Sequence, residues 1–480
     1  MDNQSFREWA VRAAEWAADY RASLAEKPVR PSITPGAIAG QLPRQAPEKA
    51  EDMRAIFADF DRIVVPGMTH WQHPRFFAYF PANASPFSVI AECLVSAMAA
   101  QCMLWQTSPA ATELETVMLE WLRQAVGLPD GFQGVIQDSA SSATLAAVLT
   151  MRERALGYLG NKHGLAARPK LRIYASDQTH SSISKAAWIA GIGEDNLIRI
   201  HTGGSTRAMN IDALEAAIVA DRSEGLVPAG IIACIGGTST GALDNIAGLI
   251  SVAQRHCLYV HVDAAWAGAA MICPEFRTLW AGVEAADSVV LNPHKWLGAQ
   301  FDCSAHFVRE PQSLLRALAI QPEFLKTHGH EGLTNYSEWS IPLGRRFRAL
   351  KLWFLMRGHG LEGLRMMIRD HVRWSHALAR RLAAEPGFAL VTEPILSLFS
   401  FRHDPGDGRD LDAHNLMLLT AINDDGRLYL TQTRVDGRIA IRFQAGSMET
   451  TEADVNLAFD VIQDLAARLS LTRGVVAQAR

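Results

Sequence analysis

A lysine and an aspartate, Lys295 and Asp263, are the residues from which a chemistry can be built. Lys295 stands in Asn292-Pro293-His294-Lys295-Trp296, and Asp263 lies 32 positions upstream in Val262-Asp263-Ala264-Ala265. A lysine amine is a surface cation unless a pocket holds it, where it can form a Schiff base with a carbonyl. Leu258, Val260 and Val262 alternate onto one face, which predicts a strand within 257–266 that ends at Asp263. Ser288-Val289-Val290-Leu291 predicts a second strand, and the Asn292-Pro293 pair ends its pairing just before Lys295. Open α/β sheets bind ligands beyond the carboxyl ends of their strands, so two strand ends present an acid and an amine together.

That pair suits pyridoxal 5'-phosphate: the amine accepts the aldehyde, and the anion keeps the pyridine nitrogen protonated so that the ring draws electrons from a carbanion. A third segment, residues 134–144, reads Gly-Val-Ile-Gln-Asp-Ser-Ala-Ser-Ser-Ala-Thr and runs into an apolar stretch at 145–151. Small hydroxyl residues between a strand and a helix offer N–H groups, O–H groups and a positive dipole end to a phosphate. A fourth segment places His180 just after a strand at 171–175. Each segment alone has a plainer reading: a surface lysine, a capping aspartate, a serine N-cap, a hydrogen-bonded loop histidine.

The elements needed to position these residues can be read along the chain. Helices at 6–24 and 47–63 flank a connector marked by Pro28, Pro31, Pro35 and Pro43. From about 85 to 350 strands alternate with helices, as in a mostly parallel, doubly wound α/β sheet. A helix at 349–357, stopped by Gly358 and Gly360, leads to strands at 389–391, 396–402, 426–433 and 438–443 and a closing helix at 452–469, a small α+β domain. The expected division is 1–84, 85–350 and 351–480. A chain of 480 residues, 49% hydrophobic, can bury a large core. A net charge of −4 leaves no electrostatic footprint for nucleic acid or an anionic membrane. The most apolar stretch, 88–105, is interrupted by Glu92 and Gln101, and the amphipathic start has no signal-peptide core, so a cytoplasmic protein is expected. The six cysteines contain no Cys-x-x-Cys pair and are expected to be reduced core residues. His328 and His330, two imidazoles in a glycine-containing loop, fall short of a metal site, so no metal is expected.

Taken together, these segments resemble the group II pyridoxal-dependent decarboxylases, in the aromatic-L-amino-acid decarboxylase branch. The motifs that carry the resemblance run nearly the whole chain: Thr69-His-Trp71, Phe76-Phe-Ala-Tyr79-Phe80-Pro81, the 108–115 segment, Asp263-Ala-Ala-Trp-Ala-Gly, Cys273-Pro-Glu-Phe-Arg, Asn292-Pro-His-Lys-Trp, Phe301-Asp-Cys-Ser and Ile341-Pro-Leu-Gly-Arg-Arg-Phe-Arg. The resemblance implies the pyridoxal phosphate fold type I, aspartate aminotransferase-like, and a homodimer whose active sites are completed by both subunits. It implies that Lys295 holds the cofactor, that Asp263 pairs with the pyridine nitrogen, and that Ala265 and His180 cover the two faces of the ring, His180 also orienting the substrate carboxylate. Ser139, Ala140, Ser141 and Asn292 resemble the phosphate-binding set, with His294 beside the lysine and Thr238 near Asp263. Trp71, Tyr79, Phe80, Pro81, Ala82, Met103 and Gly344 resemble the slot for a flat aromatic substrate.

Departures from the family pattern bear on the product. The decarboxylases carry a tyrosine in a Pro-x-Tyr-Leu-Lys loop motif that protonates the carbanion left when CO2 departs; this chain reads Gln321-Pro-Glu-Phe324-Leu-Lys326. Phenylalanine has no proton to give. Plant arylacetaldehyde synthases resemble the chain at this point, and in them the unquenched carbanion meets O2, giving an aldehyde with ammonia and hydrogen peroxide. The expectation is that oxidative route, with Tyr336, His328 and His330 as residues that could replace the missing donor and return the product to the amine. Ala82 in place of a hydroxyl residue leans toward phenylalanine or tryptophan over dihydroxyphenylalanine. Asp138 adds a negative charge beside the phosphate cradle. A non-catalytic pyridoxal-binding protein and an aminotransferase fit the motifs less well.

Overall fold

The computed structural model describes residues 1–320 and 333–477. Two compact units make up the chain: one comprises residues 82–376 with 392–400, the other 1–81, 377–391 and 401–480.

The larger unit is built on seven strands: β1 (Gln133–Gln137), β2 (Leu171–Ser176), β3 (Leu197–Ile200), β4 (Val227–Cys234), β5 (Tyr259–Asp263), β6 (Ser288–Leu291) and β7 (Ser304–Val308). Their order across the sheet is β1-β7-β6-β5-β4-β2-β3. The β2/β3, β2/β4, β4/β5 and β5/β6 pairs are parallel, whereas β7 runs antiparallel to both β1 and β6. β5 and β6 are buried along their whole length, as strands covered on both faces must be, which is why they read as near-continuous apolar runs. Val148 and Met151 of helix Ala140–Ala155 pack in one core cluster with Ile173, Ile232 and Tyr259, so this helix lies on the sheet face to which β5 turns Asp263.

β1 leads straight into the phosphate-cradle segment, and side chains fix it on the side away from β7. The Ile136 N–H donates to Glu115 Oε1 at 2.8 Å, and Arg345 Nη2 donates to the Ile136 carbonyl at 2.7 Å. Arg345 and Glu115 themselves form a two-pronged ion pair at 3.0 and 2.6 Å, with exposures of only 4% and 2%. Gln137 Nε2 adds a bond to the Trp339 carbonyl at 3.1 Å. Truncating one member of such a pair leaves a buried charge uncompensated. Glu115→Ala is therefore expected to destabilise the protein by about 3–5 kcal/mol, measured as the shift in urea-unfolding free energy; a change under ~1 kcal/mol would show that Arg345 finds another partner.

Of the two glycines expected to stop the helix, Gly360 breaks it, with backbone at φ 63° and ψ 165°, and Gly358 does not. The helix runs Arg348–Ala384 with non-helical backbone at Gly360 alone, and position 351 and the 376/377 junction of the two units both fall within it. At Gly358 a Cβ would lie 2.4 Å from the Phe87 ring, so the glycine serves a close approach between helices rather than a helix end.

The smaller unit holds helices Asn3–Ala22, Met53–Asp59, Leu411–Asp425 and Glu452–Ala477. Its sheet is formed from β8 (Phe388–Ile395), β9 (Leu398–His403), β10 (Thr431–Val435) and β11 (Arg438–Gln444), in the order β8-β9-β11-β10, the 392–400 tip being grouped with the larger unit. Among the described residues no helix is long and apolar enough to cross a membrane. Cys102, Cys234, Cys273 and Cys303 are buried, but Cys93 and Cys257 are exposed, against the expectation of six core thiols. Cys257 has left the core because it ends helix Ile246–His256 in the left-handed region at φ 55°.

Candidate active site

The carboxyl ends of β5 and β6 deliver the acid and the amine as expected. β5 closes on Asp263, which is 7% exposed and accepts the Ala265 N–H at 3.1 Å. The Asn292 N–H after β6 donates to the Ala265 carbonyl at 2.9 Å, stitching the two strand ends together. Residues Pro293–Leu297 then form one short helical turn, ended by Gly298 at φ 96°, with the Lys295 N–H bonded to the Asn292 carbonyl at 2.9 Å. Lys295 is half-buried between the buried His294 and Trp296.

His180 belongs to the same place. Its ring stands at the open mouth of the site, Nδ1 paired with Ser182 Oγ at 2.8 Å. Crowding by protein still desolvates the ring and lowers its pKa; Asp263 pulls it back up and Lys295 pushes it down. One imidazole thus feels both the acid and the amine. His294 is different: desolvation, with the Lys295 and Lys351 charges, holds its pKa down at about 3, while Asp138 works against them. It is a neutral acceptor for the Cys303 N–H at 2.9 Å, a structural part of the lysine turn.

The cradle forms where β1 gives way to helix Ala140–Ala155. Ser139 is its N-cap, its Oγ accepting from the Ser142 N–H at 3.3 Å, and Ala140 and Ser141 begin the first turn. Asp138 neither caps the helix nor leaves the site: its Oδ1 accepts from Ser139 Oγ at 3.1 Å and its charge reaches His294. Asn292 is oriented by Ser304, whose hydroxyl donates to Oδ1 at 2.6 Å. The Thr238 loop is pinned between the His180 segment and the residues after Ala265. Thr240 Oγ1 donates to Gln178 Oε1 at 2.8 Å, and a Cβ at Gly236 would press to 2.6 Å on Ala267 and 2.9 Å on Trp266. An amine, a buried carboxylate and an imidazole in mutual electrostatic reach, beside a helix start rich in small hydroxyl residues, fit pyridoxal phosphate.

The substrate-slot residues fall into two groups. Within the smaller unit Trp71 lies 5.8 Å from Tyr79, ring to ring, and Phe80 sits under the Arg442 guanidinium at 4.5 Å, with Pro81 beside Gly446. Tyr429, which the sequence does not single out, joins this cluster 6.1 Å from Tyr79 and 5.5 Å from Phe76. Within the larger unit Met103 and Gly344 come together through Gln101, and Ala82 precedes Asn83, whose amide donates to the Lys295 carbonyl at 2.7 Å. Asn83 is a second residue missed from sequence, although it follows directly on the Phe76–Pro81 motif.

Phe324, His328 and His330 lie outside the described residues. Tyr336 is not available as a replacement proton donor. It is 3% exposed, its hydroxyl is 2.9 Å from Thr116 Oγ1, and burial pushes its pKa far up. With Thr116, Gln133 and Gly134 it lines a cavity of 210 Å³ at the start of β1, about 13 Å of strand away from the cradle end. Burial among apolar rings, invisible in the sequence spacing, decides this.

Comparison with known proteins agrees with the geometry. Residues 35–404 match the family described as pyridoxal-dependent decarboxylase conserved domain. The chain is 38% identical to the phenylacetaldehyde synthase of Arabidopsis thaliana over 98% of its own length and 97% of that protein. It is 39% identical to the aromatic-L-amino-acid decarboxylase of Sus scrofa, covering 98% of each. The crystal structure of Oryza sativa TDC with PLP and tryptamine superposes with a TM-score of 0.94 at 34% identity, over 98% of this chain and 99% of that one.

Proposed function

Since the chain belongs to the pyridoxal-dependent decarboxylases, we propose that it removes the carboxylate of an aromatic L-amino acid and, for want of a proton donor at Phe324, releases an arylacetaldehyde. The balance is one amino acid, one O2 and one water giving the aldehyde, CO2, ammonia and hydrogen peroxide. The observation that carries the decarboxylase part is the buried acid at the end of β5 beside the amine that follows β6, the two strand ends tied by the Asn292 N–H to the Ala265 carbonyl at 2.9 Å.

Pyridoxal phosphate would be held by Lys295 and the 139–141 cradle, and when bound it would supply an electron-withdrawing ring to the decarboxylation. Asp263 is the anion placed to keep a proton on the ring nitrogen, its carboxylate steadied by the Ala265 N–H. His180, neutral at its lowered pKa, can turn a ring N–H toward the substrate carboxylate without adding a full charge that would hold CO2 back. Relatives named phenylacetaldehyde synthase and aromatic-L-amino-acid decarboxylase support an aromatic substrate. Phe324 offers no proton to the new carbon centre, and Tyr336 is committed to Thr116. Neither residue would therefore supply the proton that an amine product needs, and O2 is the co-reactant that the aldehyde balance requires.

The test is to incubate the cofactor-loaded protein with phenylalanine, tyrosine, dihydroxyphenylalanine and tryptophan in air and to quantify CO2, amine, aldehyde and peroxide together. Aldehyde and peroxide in step with CO2 support the oxidative route. Amine without peroxide returns the protein to the ordinary decarboxylases, and no CO2 from any of the four removes the reading.

The same reading includes a homodimer. In its favour, Phe87, Ile90, Leu94 and Met98 form an exposed apolar stripe along helix Pro86–Met98, and helix Asn3–Ala22 has no buried residue. Sedimentation at micromolar concentration is expected to give twice the 52.6 kDa chain mass.

A further inference from the structure

Lys351 is among the most deeply buried polar residues of the chain, 1% exposed, and no motif or step of the chemistry accounts for it. Taking an ammonium out of water costs several kcal/mol unless its protons are well placed. Here Nζ donates to Gln300 Oε1 at 3.0 Å and lies 3.1 Å from Glu92 Oε2. Desolvation draws its pKa down to about 8, with Cys303 and Asp302 opposing.

Gln300 comes five residues after Lys295, on the segment that returns from the lysine turn to β7. That segment is gripped from two sides. From 83–92, Asn83 holds the Lys295 carbonyl at 2.7 Å, the Ser85 N–H donates to the Gly298 carbonyl at 2.9 Å, and Ser88 Oγ accepts the Gln300 N–H at 2.7 Å. From helix Arg348–Ala384, Arg348 pairs with Asp302 at 2.7 Å and Lys351 takes the Gln300 side chain. Glu92, the second acceptor of Lys351, is also paired with Arg346. Lys351 is a point at which both sides meet: among the described residues its ammonium is bonded to Gln300 and Glu92 together.

We propose that Lys351 is a positioning residue for Lys295, clamping the segment 298–302 between helix Pro86–Met98 and helix Arg348–Ala384 so that the reactive amine keeps one direction. The inference rests on Lys295 being the cofactor-bearing lysine. A residue that merely stitched two helices together would affect melting and nothing else. A positioning residue changes how the bound ring is held: reacting groups displaced by a fraction of an ångström lose rate far more than binding.

The experiment compares holoenzyme Lys351→Met, Lys351→Arg and Gln300→Ala with the parent protein, reading the visible circular dichroism of the lysine-bound cofactor and the split of kcat from KM. Expected for Lys351→Met is an altered dichroic band and kcat lower by about tenfold with KM within twofold, recovered in part by Lys351→Arg. Gln300→Ala removes the same tie without leaving a methionine against Glu92, so it decides the matter if Lys351→Met does not fold. Parental dichroism and kcat in folded Lys351→Met, or in Gln300→Ala where that variant decides, would overturn the proposal. A parent protein that shows no lysine-bound cofactor at all sinks the proposed function instead, and is told apart by that.

Discussion

Lys295→Ala is expected to lose the visible absorbance of the lysine-bound cofactor and at least about 10³-fold in turnover, the scale on which removing a covalent catalytic group acts. The fold should survive the change. Both backbone ties at this position, the N–H to Asn292 and the carbonyl to Asn83, remain available to alanine. The neighbours that seat the turn are likewise untouched: Trp296 Nε1 donates to His371 at 2.9 Å, and His294 still accepts the Cys303 N–H. Thermal midpoint and far-ultraviolet dichroism close to the parent, with absorbance and turnover gone, place the loss in the chemistry. Parental turnover in this variant would remove the basis of the whole assignment.

Phe324→Tyr is expected to reverse the product. A phenol at that position restores the proton that phenylalanine lacks, and a placed general acid is worth about 10²–10⁴-fold in rate, enough to outrun reaction with O2. At equal CO2 release, amine should rise and aldehyde and peroxide fall by at least about tenfold. Two results count against the loop assignment: an unchanged partition in the variant, and a parent protein that already yields only amine.

The acid, the amine and their strands were legible in the sequence because parallel strands buried on both faces leave an apolar run that ends where the chemistry begins. Asp263 closes β5, and Lys295 follows β6, as the alternation at 258–262 and the Asn-Pro break predict. The family fold and the pyridoxal cofactor followed from motifs spread over the chain and agree with the match over residues 35–404. What sequence could not supply were contacts set by tertiary distance. Gly358 and Gly360 both read as helix stops, but only Gly360 breaks the helix and Gly358 is a notch for Phe87. Tyr336 reads as an available hydroxyl but is spent on Thr116. Tyr429, some 350 positions after Tyr79, shares no pattern with it and meets it because Tyr429, just ahead of β10, bridges to Phe76 in the smaller unit. Lys351 reads as one more basic residue of an Arg-rich helix, and only its burial sets it apart.

β1 stands at the margin of the seven-stranded sheet, where the outward N–H and C=O groups of a strand ordinarily invite another chain to add on. The Glu115 carboxylate and the Arg345 guanidinium occupy both outward groups of Ile136. At Ile136, next to the cradle, the edge therefore has both of its outward groups taken. A strand arriving from another molecule would have to break a buried ion pair to bond at Ile136, so the end of the margin that carries the phosphate cradle is also the end that resists edge-to-edge pairing.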